Sequence, residues 1–195
     1  MTGFGVQDFI RSDPHHAPMH SAVSMVAQGG LYVAAVLAVV VWLTVPRPEK
    51  VAMAVEMVVG LVAVAILVRL AGVLHTDPRP FVQDPSIHPW FSHPADNGFP
   101  SDHTAVAALT AFVVVRRRLG AGLALLAIAV LIGAARVLAH VHHVQDVVAG
   151  VAIGLLAALV GAVVWRSVRE STLVRRVTGG AVSVETASRG SDRAP

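Results

Sequence analysis

The chain has 195 residues, of which 55% are hydrophobic and 14% charged, with no cysteine and a formal net charge of +3. A water-soluble domain carries about 25% charged residues, so this composition excludes an ordinary soluble domain, and the lack of thiols excludes disulfides and cysteine chemistry. The surplus of cations does not point to nucleic acid, because the arginines are gathered beside apolar tracts, where they act as a topology signal.

In chain order, residues 1–27 are too polar to cross a bilayer, with Asp8, Arg11, Asp13, His15, His16 and His20 among them. They read as an extracytoplasmic, interfacial segment in which FGVQDFI lies flat on lipid. No charged n-region precedes a short apolar core there, so a cleavable signal peptide is not expected. A hydrocarbon core of about 30 Å needs about 20 apolar residues per helix. Four tracts are long enough, at about 28–45, 51–74, 119–139 and 147–166. A fifth, at about 104–115, is shorter and is completed by the polar turn before it. The expected fold class is all-α: a polytopic membrane helical bundle of about five transmembrane helices, occupying residues 28–170. The remainder, 171–195, is rich in Ser, Thr, Gly and Arg and is expected to be a disordered cytoplasmic tail.

Arg47 and Lys50 follow the first span, Arg116, Arg117 and Arg118 the third, and Arg166, Arg169, Arg175, Arg176, Arg189 and Arg193 the fifth. These are eleven of the fifteen basic residues, all on one side. The positive-inside rule makes that side cytoplasmic. Two polar insertions, FPSDHT (99–104) and ARVLAHVHHVQDVVAG (135–150), are two spans apart and so share the opposite face.

Ionisable residues at membrane depth are costly and mark functional sites. Arg79 and Arg136 offer planar donor forks suited to phosphate oxygens. Ser101 stands at the N-cap position before Asp102, His103 and Thr104, and the unpaired N–H groups of such a helix start favour an anion. His142 and Asp146 are four residues apart, so the carboxylate can fix the tautomer of the imidazole and leave its other nitrogen free as a nucleophile. His103, from a different helix, is placed to act as a general acid.

The ordered pattern Arg79-Pro80, Pro100-Ser101-Asp102-His103, then Arg136, His142 and Asp146 resembles the three-part signature of the type 2 phosphatidic acid phosphatase superfamily, over about residues 68–155. The RPFV stretch and the HPADNGFPSDH run are similar to bacterial undecaprenyl-diphosphatases. The resemblance implies hydrolysis of a lipid phosphate through a phosphohistidine, without metal or other cofactor. His142 would be the nucleophile, Asp146 its orienting partner and His103 the acid. Arg79, Ser101, Arg136 and the backbone N–H of Asp102 would hold the phosphoryl group. It further implies a bacterial plasma-membrane location, an extracytoplasmic site, and undecaprenyl diphosphate as substrate in carrier-lipid recycling. Three positions depart from the pattern. Gly72 stands where a lysine is usual, with Arg69 and His75 one helical turn to either side as possible auxiliaries. Ala135 replaces a serine, and Asp102 replaces a glycine.

Other readings stay open. The substrate could be phosphatidate or phosphatidylglycerophosphate, since spacing does not read a lipid tail. The chain could bind or transport lipid without catalysis. His140, His142 and His143 with His15 and His16 could form a metal site, although neighbouring arginines repel a cation. His88, His93, Asp96 and Asn97 in the 81–99 loop read best as solvated residues, with a contact to a second phosphate as the alternative. Phe81, Trp90 and Phe91 read as an interfacial aromatic belt or a rim of the site. Nothing in the sequence speaks to oligomeric state.

Overall fold

The computed structural model describes residues 17–169. It is helical throughout, with α1 (Ala17–Thr44), α2 (Arg47–Leu74), a single turn α3 (Pro80–Gln83), α4 (Asp102–Val115), α5 (Leu119–Leu138) and α6 (Val144–Val168). The described residues contain no strand, only an isolated bridge between Pro78 and Asn97. Helices α1, α2, α5 and α6 are each long and apolar enough to span a bilayer. The protein is a multi-pass membrane protein.

The fifth expected span has a different physical basis. At 14 residues α4 rises about 21 Å, less than the hydrocarbon thickness. It tolerates this because it is the central helix: α1, α2, α5 and α6 all pack around it, and Ala105, Ala107, Ala108, Leu109, Ala111, Val113 and Val114 are sealed from solvent. A helix enclosed by protein need not match the lipid. The lipid-facing work falls to the outer helices, whose Val36, Val62, Leu131 and Val163 are exposed.

Small residues let the helices approach. At Gly150 of α6, a Cβ would lie 2.5 Å from the carbonyl oxygen of Ser101. The start of α4 and the start of α6 are therefore in backbone contact, which brings the two polar insertions of the sequence to one place.

At the other end Glu56 of α2, 3% exposed, accepts hydrogen bonds from Arg116 and from Arg117, the latter at 2.8 Å. The arginines expected only as a topology signal thus also neutralise a buried carboxylate and tie the α4–α5 turn to α2.

The first helix begins at residue 17, ahead of the apolar tract at about 28, so 17–27 are regular helix continuous with the first span. Its polar positions are accommodated locally: Gln28 donates to the carbonyl of Ser24 at 3.3 Å, and His20 stacks on Trp90 with centroids 4.0 Å apart. Residues 1–16 and the expected tail 171–195 lie outside the described residues.

Candidate active site

The site is built on a helix ending. Helix α5 closes with Val141 N–H donating to Arg136 O at 3.2 Å and His140 N–H donating to Val137 O at 3.0 Å, the paired bonds of a Schellman turn. His140 takes the left-handed position with φ of 61°, where glycine is the usual occupant. The reversal points His142 inward, where it is 2% exposed.

One residue later α6 starts with His143 as its N-cap and Asp146 in its first turn. Asp146 Oδ2 accepts from His143 N–H at 2.8 Å and lies 3.2 Å from His142 Nδ1. With Nδ1 directed at the carboxylate, Nε2 faces Arg79 Nη1 at 3.3 Å. Burial is the main force pushing the His142 pKa below its ordinary value; the Asp146 hydrogen bond opposes this, and the charges of Arg136 and Arg79 reinforce it. A neutral imidazole with an unprotonated Nε2 is the species that can attack phosphorus.

Arg79 precedes α3 and is only 5% exposed. Its Nη1 donates to Val141 O at 2.7 Å, and its Nε and Nη2 lie 2.9 and 2.8 Å from Asp96 Oδ1. Arg136, in the last turn of α5, donates from Nη1 to Ala27 O at 3.3 Å, and its Nη2 meets His93 Nε2 at 2.9 Å. Among the described residues its Nε–H has no hydrogen-bond partner, and neither does Asp146 Oδ1. The His93 ring stands edge-on to His142 with centroids 6.3 Å apart. Burial and the nearby arginines hold the His93 pKa down, so it meets Arg136 as a neutral acceptor.

At the start of α4, Ser101 occupies the N-cap but does not cap. Its Oγ pairs with Thr104 Oγ1 at 3.0 Å, and its N–H donates to Asp146 O at 3.0 Å. Asp102 Oδ1 accepts from His103 N–H at 2.9 Å and lies 3.2 Å from His103 Nδ1. His103 is about one-third exposed, and its side-chain partner is Asp102 rather than His142.

Residues 53–171 match the model of the PAP2 superfamily. The chain belongs to the PAP2 superfamily. It is 31% identical over 144 residues to the bacitracin transport permease protein BcrC of Bacillus licheniformis, covering 74% of this chain and 70% of that one. It is also 31% identical over 163 residues to the putative undecaprenyl-diphosphatase YbjG of Escherichia coli K12, covering 81% of this chain and 80% of that protein. Among solved structures, Aquifex aeolicus LpxE superposes with a TM-score of 0.63 at 24% identity, over 82% of this chain and 95% of that one. That last likeness concerns the fold. Together these findings make the chain a PAP2 membrane phosphatase.

Within this PAP2 chain the structure gathers Arg79, His142 and Asp146 directly, and links Ser101 to Asp146 and His93 to Arg136. It corrects the reading of the 81–99 loop. His93 and Asp96 are bound to the two site arginines, and Asn97 is a hub: its Oδ1 accepts from Asp77 N–H and Phe99 N–H, while its Nδ2 donates to Gly72 O and His75 O, all within 3.0 Å. Only His88 fits the solvated reading; it is exposed and meets just Ser86 O, at 3.1 Å. Trp90 is no free belt residue either: its backbone N–H donates to Ala139 O, and its ring packs against those of His20 and His140.

At Gly72 a Cβ would lie 3.3 Å from Phe99 O and 3.5 Å from Asn97 Nδ2, a tight fit against the 97–99 segment on a position that also lines a cavity. His75 packs against the Phe99 ring at 4.6 Å. Asp77 was not singled out in the sequence, yet it is buried and its Oδ2 accepts from His143 Nδ1 at 2.9 Å and Gln145 Nε2 at 2.6 Å. Its signal was a carboxylate two residues before Arg79 inside the same polar insertion. Asp77, His143 and Asp146 bring one ligand atom each within 4.8 Å of one another. This is not the histidine set considered above, since the His140 ring turns to Trp90 and His143 Nδ1 is spent on Asp77.

Proposed function

We propose that this PAP2 chain hydrolyses undecaprenyl diphosphate to undecaprenyl phosphate and inorganic phosphate, at the extracytoplasmic face of a bacterial plasma membrane and without metal. The carrying observation is the buried His142 ring, held at Nδ1 by Asp146 with Nε2 turned to Arg79. The substrate class is supported by the similarity to a putative undecaprenyl-diphosphatase along four-fifths of both chains, and the facing by the cytoplasmic clustering of arginines.

In this mechanism the terminal phosphoryl group enters between Arg79 and Arg136, with the Arg136 Nε–H as a vacant donor and the N–H groups at the start of α4 completing the cradle. Nε2 of His142 attacks phosphorus in line; the P–O bond to the lipid phosphate breaks as the N–P bond forms. His103 gives its proton to the departing lipid phosphate. His103 then takes a proton from water, which attacks the phosphohistidine, releases inorganic phosphate and restores His142. Asp102 orients His103, and Asp146 stabilises the positive charge that His142 acquires.

The test is phosphate release by purified protein in detergent with a chelator present, from undecaprenyl diphosphate, phosphatidate and phosphatidylglycerophosphate. Release from the first that His142→Ala and His103→Ala abolish supports the proposal. Faster release from either phospholipid moves the substrate assignment, and release in cells that survives His142→Ala removes the mechanism.

A further inference from the structure

Arg69 has no obvious structural task. It lies on α2 between Val68 and Leu70, inside a helix that qualifies as a membrane span, and it is exposed. Among the described residues it has no hydrogen-bond or ion-pair partner. An unpaired guanidinium in a span is costly unless an anion meets it. Its position five residues before Leu74 sets it about 7 Å below the outer end of α2.

The surroundings say what the anion is. A cavity of about 470 Å³ is lined by both Arg69 and Arg79, together with Gly72, Asp96, Asn97 and Asp102. The two carboxylates do not serve Arg69: Asp96 is bonded to Arg79 and Asp102 to His103. The absence of a side chain at Gly72 leaves the route between the arginines lined by backbone and by the Asn97 amide. The cavity therefore puts the phosphoryl-site Arg79 and an unmatched cation set back along the α2 span on one shared lining.

Resting on the phosphatase reading above, we infer that Arg69 is a specificity-determining residue that binds the second, lipid-bonded phosphate of an isoprenyl diphosphate while the terminal phosphate occupies the Arg79–Arg136 site. In the bond-breaking step that second phosphate is the leaving group and gains negative charge, so a guanidinium beside it favours diphosphates over monophosphates of the same chain. The shared chemistry, a lipid phosphate, could also come from a bulk phospholipid headgroup, and the experiment separates the two sources.

The wild type, Arg69→Gln and Arg69→Lys are compared in detergent by kcat/KM for farnesyl diphosphate and by the inhibition constant of farnesyl monophosphate as a competitor. The expected result is a fall in kcat/KM of about ten- to a hundredfold for Arg69→Gln, exceeding its effect on the monophosphate at least tenfold, with Arg69→Lys recovering most of the loss. Equal losses for both ligands, or none for either, overturn the inference and leave Arg69 to a headgroup contact. A wild type that releases phosphate from no lipid defeats the phosphatase reading first, and a melting temperature matched to wild type shows that Arg69→Gln is folded.

Discussion

His142 Nδ1 and Asp146 Oδ2 lie 3.2 Å apart, with side chains 1% and 0% exposed. The carboxylate cannot be replaced by water at that depth, and among the described residues its other oxygen has no hydrogen-bond partner to compensate. Asp146→Asn keeps the shape but puts a donor or a weak acceptor against the imidazole. Steady-state phosphate release is expected to fall by about a thousandfold or more, as in other triads that lose their orienting carboxylate, and His142→Ala is expected to fall at least as far. A variant Asp146→Asn within tenfold of wild type would contradict the orienting role.

The pH profile follows from the same ring. The folded pKa of His142 lies below the ordinary histidine value, so the nucleophile is neutral at and somewhat below pH 6.5. As pH falls through the lowered pKa, protonation removes the attacking lone pair, so kcat/KM declines on the acid side only below the usual histidine range. Arg79 and Arg136 push in this direction and Asp146 against it. An acid limb centred above about 6.5 in a kcat/KM profile would contradict a buried neutral His142.

Asp96 holds two donors of Arg79 through a single oxygen, the same donors a phosphoryl group would use. Its own side chain is 63% exposed, so the pair adds little stability and is readily displaced. Asp96→Asn is expected to leave melting unchanged within about 1 kcal/mol and to tighten inhibition by orthovanadate several-fold. Weaker vanadate binding in the variant would show that Asp96 supports the site instead of competing for it.

Gly150 tests the contact between the two helix starts. Adding one methyl at 2.5 Å from Ser101 O forces α4 and α6 apart where Ser101 N–H meets Asp146 O. Gly150→Ala is expected to cost about 1–3 kcal/mol of stability and to lower turnover with little change in KM. Thermal unfolding in detergent together with kcat and KM checks both.

How much of this was legible in the residues differs from element to element. Apolar tract lengths and arginine placement determined the helices and their order, because bilayer thickness and the cost of burying charge act on local sequence. His142 and Asp146 were legible for a similar reason: a spacing of four residues keeps them within reach of each other, while the turn that ends α5 points His142 inward. Helix α4 could not be seen as the central helix from its composition, since length and hydrophobicity do not say whether protein or lipid surrounds a segment. The contacts of the loop 81–99 are not legible in its residues, because it carries no periodicity. Its Asp96 reaches Arg79 across 17 residues, and its His93 reaches Arg136 across 43. Asp77 finds His143 across 66 residues. Such partners are chosen only when helix packing through Gly150 brings distant helix ends together, and burial there leaves each polar atom to find the nearest complementary one.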